Sequence, residues 1–144
     1  MIRLLDSYRR FRRAVNLLAV KDFKPLGLGT KQASLLRHLG ELGRCSHAEL
    51  ARLTNTDPAA TGRILDELIR RGLVARSEHP TDRRRWVLSL SPEGKALAVK
   101  IQAGFSGVAK RMAAPLSALE RGQLIRLLDK LSDALTPNSP GIDA

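Results

Sequence analysis

Leu4, Tyr8, Phe11, Val15 and Leu18 recur at alternating steps of four and three, the spacing of a single helical face. They predict a first helix that ends before Pro25 and Gly27. Thr30 then reads as the N-cap of a second helix burying Ala33, Leu36 and Leu39, with Gly40 and Gly43 at its end. Ser46 followed three residues later by Glu49 has capping-box spacing and opens a short helix carrying Leu50 and Leu53. After a polar turn at 54–56, Asp57 caps a further helix. Pro58 takes its first position, where a missing N–H costs nothing. This helix, 58–71, turns Thr61, Ile64, Leu65, Leu68 and Ile69 inward, and Gly72 stops it.

The period then changes. Residues 73–76 and 86–90 read as two short strands, the second placing Trp86, Leu88 and Leu90 on one face and Val87 and Ser89 on the other. The loop between them, 78–85, is polar and rich in arginine. Ser91 and Pro92 start another helix, whose stripe runs Leu97, Ile101, Phe105, Val108 and Met112 until Pro115 breaks it. A last helix carries Leu124, Leu128, Leu131 and Leu135, and 137–144 is expected to be a disordered tail. The predicted fold is mainly α with a small β-hairpin wing. Two short helices joined by a tight turn and followed by a hairpin form a winged helix-turn-helix (28–92), between an N-terminal helix (1–27) and C-terminal helices (93–136). A chain of 144 residues has little other core for such long amphipathic helices, so they are expected to pair between two copies in a homodimer.

Composition narrows the function. Lys and Arg number 25 against 14 Asp and Glu, a formal net charge of +11, which calls for a polyanionic partner, either nucleic acid or an anionic membrane. A hydrophobic share of 43% argues against disorder, and an aromatic share of 3% against a base-stacking surface for single strands. One cysteine, Cys45, excludes an intramolecular disulfide. No apolar run approaches the roughly 18 residues of a membrane span, and arginines at 9, 10, 12 and 13 interrupt any signal-peptide core. The chain is expected to be cytoplasmic. It has no nucleophile elbow, phosphate-binding glycine loop or histidine paired with spaced carboxylates, so neither an enzyme nor a cofactor is expected.

The second helix of a helix-turn-helix fits a major groove about 12 Å wide. Helix 58–71 is therefore the expected reader, presenting Ala59, Ala60, Gly62 and Arg63. Small residues permit close approach, and Arg63 has the forked donors that match guanine O6 and N7. Arg83, Arg84 and Arg85 crowd the hairpin loop, a like-charge cluster that a narrow, negative minor groove would neutralise. Asp82 is expected to orient a neighbouring guanidinium. The arginines at 9, 10, 12 and 13 read as a solvated face that adds long-range steering.

His38, Cys45 and His47 match no closed zinc spacing, and no metal site is expected. Arg44 and a following helix N-terminus would both favour a Cys45 thiolate, which makes a redox-sensing regulator an alternative; the plainer reading is a small buried hydrophobe. A winged helix used for protein or RNA contact is a further alternative.

From Leu28 to Gly94 the chain resembles the multiple antibiotic resistance regulator (MarR) family of winged-helix repressors. The resemblance rests on Asp57-Pro58, on Leu68 to Val74, on Asp82-Arg83-Arg84 and on Leu90-Ser91-Pro92-Glu93-Gly94. It implies an obligate dimer with interleaved first and last helices on a pseudo-palindromic duplex, and a minor-groove role for Arg84. It also implies a small aromatic or anionic effector that releases a repressor, for which Tyr8, Arg12 and His38 are the candidate pocket residues. Ala59 and Ala60 stand where many relatives carry Ser or Thr, so methyl contact with thymine replaces polar readout. Gly62 costs its helix about 1 kcal/mol relative to Ala, and close backbone approach is the suggested reason.

Overall fold

The first apolar stripe changes partners along its length. In a computed structural model of the chain, which describes residues 1–135, helix α1 (Ile2–Phe23) leaves Leu4, Tyr8 and Phe11 exposed, half-buries Val15 and Leu18, and fully buries Phe23. A single 3-10 turn, Lys24–Leu26, follows, and Gly27 at φ 69° turns the chain away. The tail expected at 137–144 lies outside the described residues.

Helix α2 (Thr30–Leu42) buries Ala33, Leu35, Leu36 and Leu39. Its cap differs from expectation. Gly29 is the N-cap, and its amide donates to Gln32 Oε1 at 2.9 Å. Thr30 is the first helical residue, with a buried hydroxyl that makes no hydrogen bond. A two-residue strand, β1 (Arg44–Cys45), precedes α3 (His47–Leu53) and α4 (Pro58–Arg70). Strands β2 (Val74–Glu78) and β3 (Trp86–Leu90) form the hairpin, and β1 adds to its other side, giving the antiparallel order β1-β3-β2.

Because β3 is central, both of its edges are hydrogen-bonded. Leu90 reaches Gly40 of α2, and Val87, expected on the open face, is as buried as Leu88 and Leu90. Trp86, expected inward, is 51% exposed, since the strand runs out past the helices there. Helices α5 (Pro92–Ala113) and α6 (Ala118–Leu135) complete the chain. Ser91 bolts the start of α5 to the end of α4: its hydroxyl donates to Gly72 O at 2.6 Å and accepts from Gly94 N at 3.0 Å.

The core is aliphatic. Leu35, Leu36, Leu39, Leu50, Leu65, Leu68, Leu88 and Ile101 are almost wholly buried, each contributing about 2 kcal/mol by leaving water. The rings of Phe23 and Phe105 lie 4.7 Å apart, and Gly104 lets α5 approach Phe23. The chain divides into two compact units, Met1–Val108 and a second beginning at Ala109. Within the second, Leu124, Leu128, Leu131 and Leu135 of α6 are all exposed, and no described residue of that helix is buried.

A Cβ at Gly94 would overlap the carbonyl oxygen of Leu73. That backbone is held by the Ser91 amide at 3.1 Å. Gly94→Ala is therefore expected to lower stability by about 2–3 kcal/mol, read as a reduced urea midpoint at unchanged slope.

Candidate nucleic-acid interface

Two helix starts define one face of the winged domain. At α3, the Ser46 amide donates to Glu49 Oε2 at 3.0 Å, and the Glu49 amide donates to Ser46 Oγ at 3.2 Å, the capping box read from the sequence. The Ser46 amide and hydroxyl hold the Glu49 carboxyl below the usual carboxylate range, helped by Arg52 and Arg85. The tight turn passes through Asn55 at φ 47°, in the left-handed region that Asn tolerates. At α4, Asp57 Oδ2 accepts from the Ala60 amide at 2.8 Å, and the Thr61 hydroxyl donates to Asp57 O at 3.0 Å.

Thr61, Leu65 and Leu68 then form the buried side of α4. Helical geometry sends Ala59 and Arg63 outward, with Ala60 at the margin. Arg63 makes no hydrogen bond or ion pair with any described residue, so its five donors face outward unengaged by them. Gly62 has no crowded neighbour: a Cβ there would lie 3.8 Å from the His47 ring, an ordinary contact. The close approach suggested for this glycine is not required by the chain's own packing.

The wing turn is organised by its backbone. The His79 amide donates to Arg85 O at 2.9 Å, and the Arg85 amide donates to Asp82 O at 3.0 Å. Asp82 Oδ1 accepts from the Arg84 amide at 3.0 Å. Asp82 thus shapes the turn through a backbone N–H and does not hold a guanidinium, as the sequence had led us to expect. Arg83, Arg84 and Arg85 are exposed, and none of their side chains is in a hydrogen bond or a close ion pair with a described residue. Arg85 points its field toward Glu49, which places it at the wing base. Arg76 spans Asp66 of α4, at 3.4 Å, and the ring of Trp86, at 5.9 Å, giving the exposed indole a partner.

The electrostatic result is one-sided. Glu49, Asp57 and Asp82 each accept from a backbone amide at a cap or turn, while the guanidinium groups of Arg63, Arg83 and Arg84 have no partner among the described residues and Arg85 interacts with Glu49 only through its field. Such a surface attracts phosphates.

The remaining candidates lie elsewhere. Arg12 sits 5.9 Å over the Tyr8 ring on the exposed part of α1. His38 belongs to α2, where Arg37 Nη2 contacts its Nε2 at 3.2 Å and Glu41 lies 3.6 Å from Nδ1; burial and Arg37 hold its pKa below the ordinary value against the pull of Glu41. No hydrogen bond, ion pair or ring contact joins His38 to Tyr8 or Arg12. Cys45 is buried in β1. Burial, with Glu49 adding, pushes its thiol up to about 11, in line with a small buried hydrophobe and against the alternative of a thiolate favoured by Arg44 and the α3 N-terminus. Among the described residues no three His, Cys, Asp or Glu gather closely enough to hold a metal ion. A cleft between the α3 start and the wing base, involving Arg44, His79 and Trp86, was missed from the sequence because β1 was not foreseen.

A model described as the MarR family matches residues 29–86. A transcriptional regulatory protein for the hcr operon of Thauera aromatica is 34% identical over 94 residues, 64% of this chain and 57% of that protein. An HTH-type transcriptional repressor of Mycobacterium tuberculosis is 34% identical over 107 residues, 74% of this chain and 77% of that protein. Among solved structures, BpsR of Bordetella bronchiseptica, whose DNA binding is regulated by 6-hydroxynicotinic acid, superimposes with a TM-score of 0.83 at 25% identity, over 90% of this chain and 98% of that one.

Two outcomes follow from this geometry. Gly62→Ala is expected to raise stability by up to about 1 kcal/mol, seen as a higher denaturation midpoint; a loss would mean the site is tighter than ordinary contact. With its thiol near 11, Cys45 is expected to react with iodoacetamide at pH 7 roughly three-hundredfold more slowly than an unperturbed thiol of pKa about 8.5, and rapid labelling of the folded protein would contradict this.

Proposed function

The chain belongs to the MarR family, and on that premise we propose that it is a sequence-specific, double-stranded DNA-binding transcriptional repressor. It acts as a homodimer in the cytoplasm and is released from DNA by a small ligand. The observation that carries the reading is the pairing of an outward Ala59 and Arg63 on α4 with three exposed wing arginines, beside carboxylates already committed to backbone amides. A regulator of this kind catalyses nothing; its work is differential binding. No helix among the described residues is long and apolar enough to cross a membrane, and the net charge of +11 suits a polyanionic duplex.

The roles divide by reach. Helix α4 enters the major groove, where Arg63 reads a guanine edge and the methyls of Ala59 and Ala60 meet thymine. The start of α4 favours a nearby phosphate. The wing lies along the backbone, with Arg84 directed into the adjacent minor groove, Arg83 and Arg85 on the flanking phosphates, and Asp82 fixing the turn. Exposed Leu4, Tyr8 and Phe11 of α1, and the exposed leucines of α6, are covered by a second copy, which sets two α4 helices about 34–36 Å apart, one turn of duplex.

A small aromatic or anionic effector, of the kind BpsR's regulation by 6-hydroxynicotinic acid exemplifies, would settle near Tyr8, Arg12 and His38 and favour a dimer with different helix spacing. Linkage then requires that it bind the DNA-bound dimer less tightly.

Fluorescence anisotropy with an operator duplex and a scrambled duplex tests the assignment. Arg84→Ala is expected to weaken both and to reduce the salt dependence by about one unit of log-log slope. Arg63→Ala is expected to cost about 1–3 kcal/mol on the operator and to narrow its advantage over the scrambled sequence. Unchanged affinity in both variants would overturn the placement, and preference for RNA over either duplex would favour a different use of the winged helix.

A further inference from the structure

The helices that flank the winged domain both join it at the C-terminal end of α4. On the α1 side, Phe23 is buried with its ring 4.7 Å from that of Phe105 on α5. Its carbonyl accepts from the Leu28 amide at 3.2 Å, and the Gly27 amide donates to Lys24 O at 2.9 Å, so the turn from α1 to α2 is closed by its own backbone. On the α5 side, Ser91 donates to Gly72 O through its hydroxyl at 2.6 Å and to Leu73 O through its amide at 3.1 Å.

Arg71, the C-cap of α4, links the first of these junctions to the reading helix. Its Nη1 donates to Gly27 O at 2.9 Å, across 44 positions of sequence. Its Nη2 lies over the same turn, 3.5 Å from where a Cβ on Gly27 would stand. The neighbouring Arg70 makes no such link: its Nε reaches Asp66 O, within the same helix, at 3.4 Å. Leverage magnifies any change at this point. Ala59 precedes Arg71 by twelve residues, about 18 Å along the axis at about 1.5 Å per residue. A change of about 10° in how the winged domain hangs from α1 moves that reading end by about 3 Å, close to the roughly 3.4 Å rise of one base pair.

We infer that Arg71 is a positioning residue for operator spacing. By holding Gly27 O it fixes the angle between α1 and the winged domain, and with it the separation of the two α4 helices in a dimer. The inference rests on the dimeric repressor reading above. Arg71 is exposed, so its side chain adds little to the core, and the Ser91 contacts hold the α5 side without it. With the bond removed, the α1 junction turns on Gly27 alone, and the two halves of a dimer accept half-sites at more than one separation.

Anisotropy titrations of the full chain compare an operator at its own half-site spacing with duplexes that have one base pair inserted or removed between the half-sites. The ratio of these affinities cancels any uniform loss of phosphate attraction. It is expected to fall about fivefold in Arg71→Met, the effect of losing one exposed bond to a charged donor. Arg71→Lys, whose ammonium can still donate to the carbonyl, is expected to keep the ratio within about twofold. Arg70→Met, the same loss of charge one residue earlier, should leave it unchanged. The inference is overturned by an undiminished ratio in Arg71→Met, by an equal fall in Arg70→Met, or by failure of the lysine to preserve it. Loss of helical circular dichroism in Arg71→Met also overturns it, since the residue would then serve the fold and not the spacing. A parent chain indifferent to spacing would instead remove the dimeric-operator reading beneath it.

Discussion

The burial of Thr61, Leu65 and Leu68 along one side of α4 is the constraint on which the interface depends. A helix gripped by the core along that line has no rotational freedom left, so Ala59 and Arg63 must face outward. The grip begins at the helix start, where Asp57 serves twice: its side chain accepts from the Ala60 amide, and its carbonyl takes the buried Thr61 hydroxyl. A buried hydroxyl without that partner would cost roughly 1–3 kcal/mol. Helix placement and cap satisfaction are thus a single requirement.

The same economy governs charge. Carboxylates on this face are spent on backbone amides, at the starts of α3 and α4 and in the wing turn. Guanidinium groups are left over, and their mutual repulsion is tolerable only while solvent or an anion lies between them. The fold thereby stores an unmet need for negative charge where a long helix start and a hairpin tip are both presented outward. A duplex backbone meets that need over a distance no small ion spans.

Much of this was legible in residue spacing. The α3 capping box, the Asp57-Pro58 start and the stripe at 61, 65 and 68 appear in the fold as the sequence implies, because each is a local signal with a local physical cause. The failures were non-local. Two residues, Arg44 and Cys45, carry no alternation that could announce β1, which exists because β3 offers it an edge. Cys45 is the small buried hydrophobe of the plainer reading; the thiolate alternative fails because burial outweighs the helix start beside it. Val87 is buried, against the alternation read for β3. Gln32, three residues after Gly29, was the available signal for the true α2 cap, obscured by the more usual capping residue at Thr30. Asp82 was correctly singled out but assigned to the wrong donor, since side-chain and amide partners are indistinguishable in sequence.

The account makes one geometric commitment above the others: two copies present α4 to successive turns of one face of a duplex. Selection of bound sites from a pool of random double-stranded DNA measures this most directly. The expected product is an inverted repeat whose half-sites lie one helical turn apart, about 10–10.5 base pairs centre to centre. Recovery of no sequence, or of a single unrepeated half-site, would contradict it.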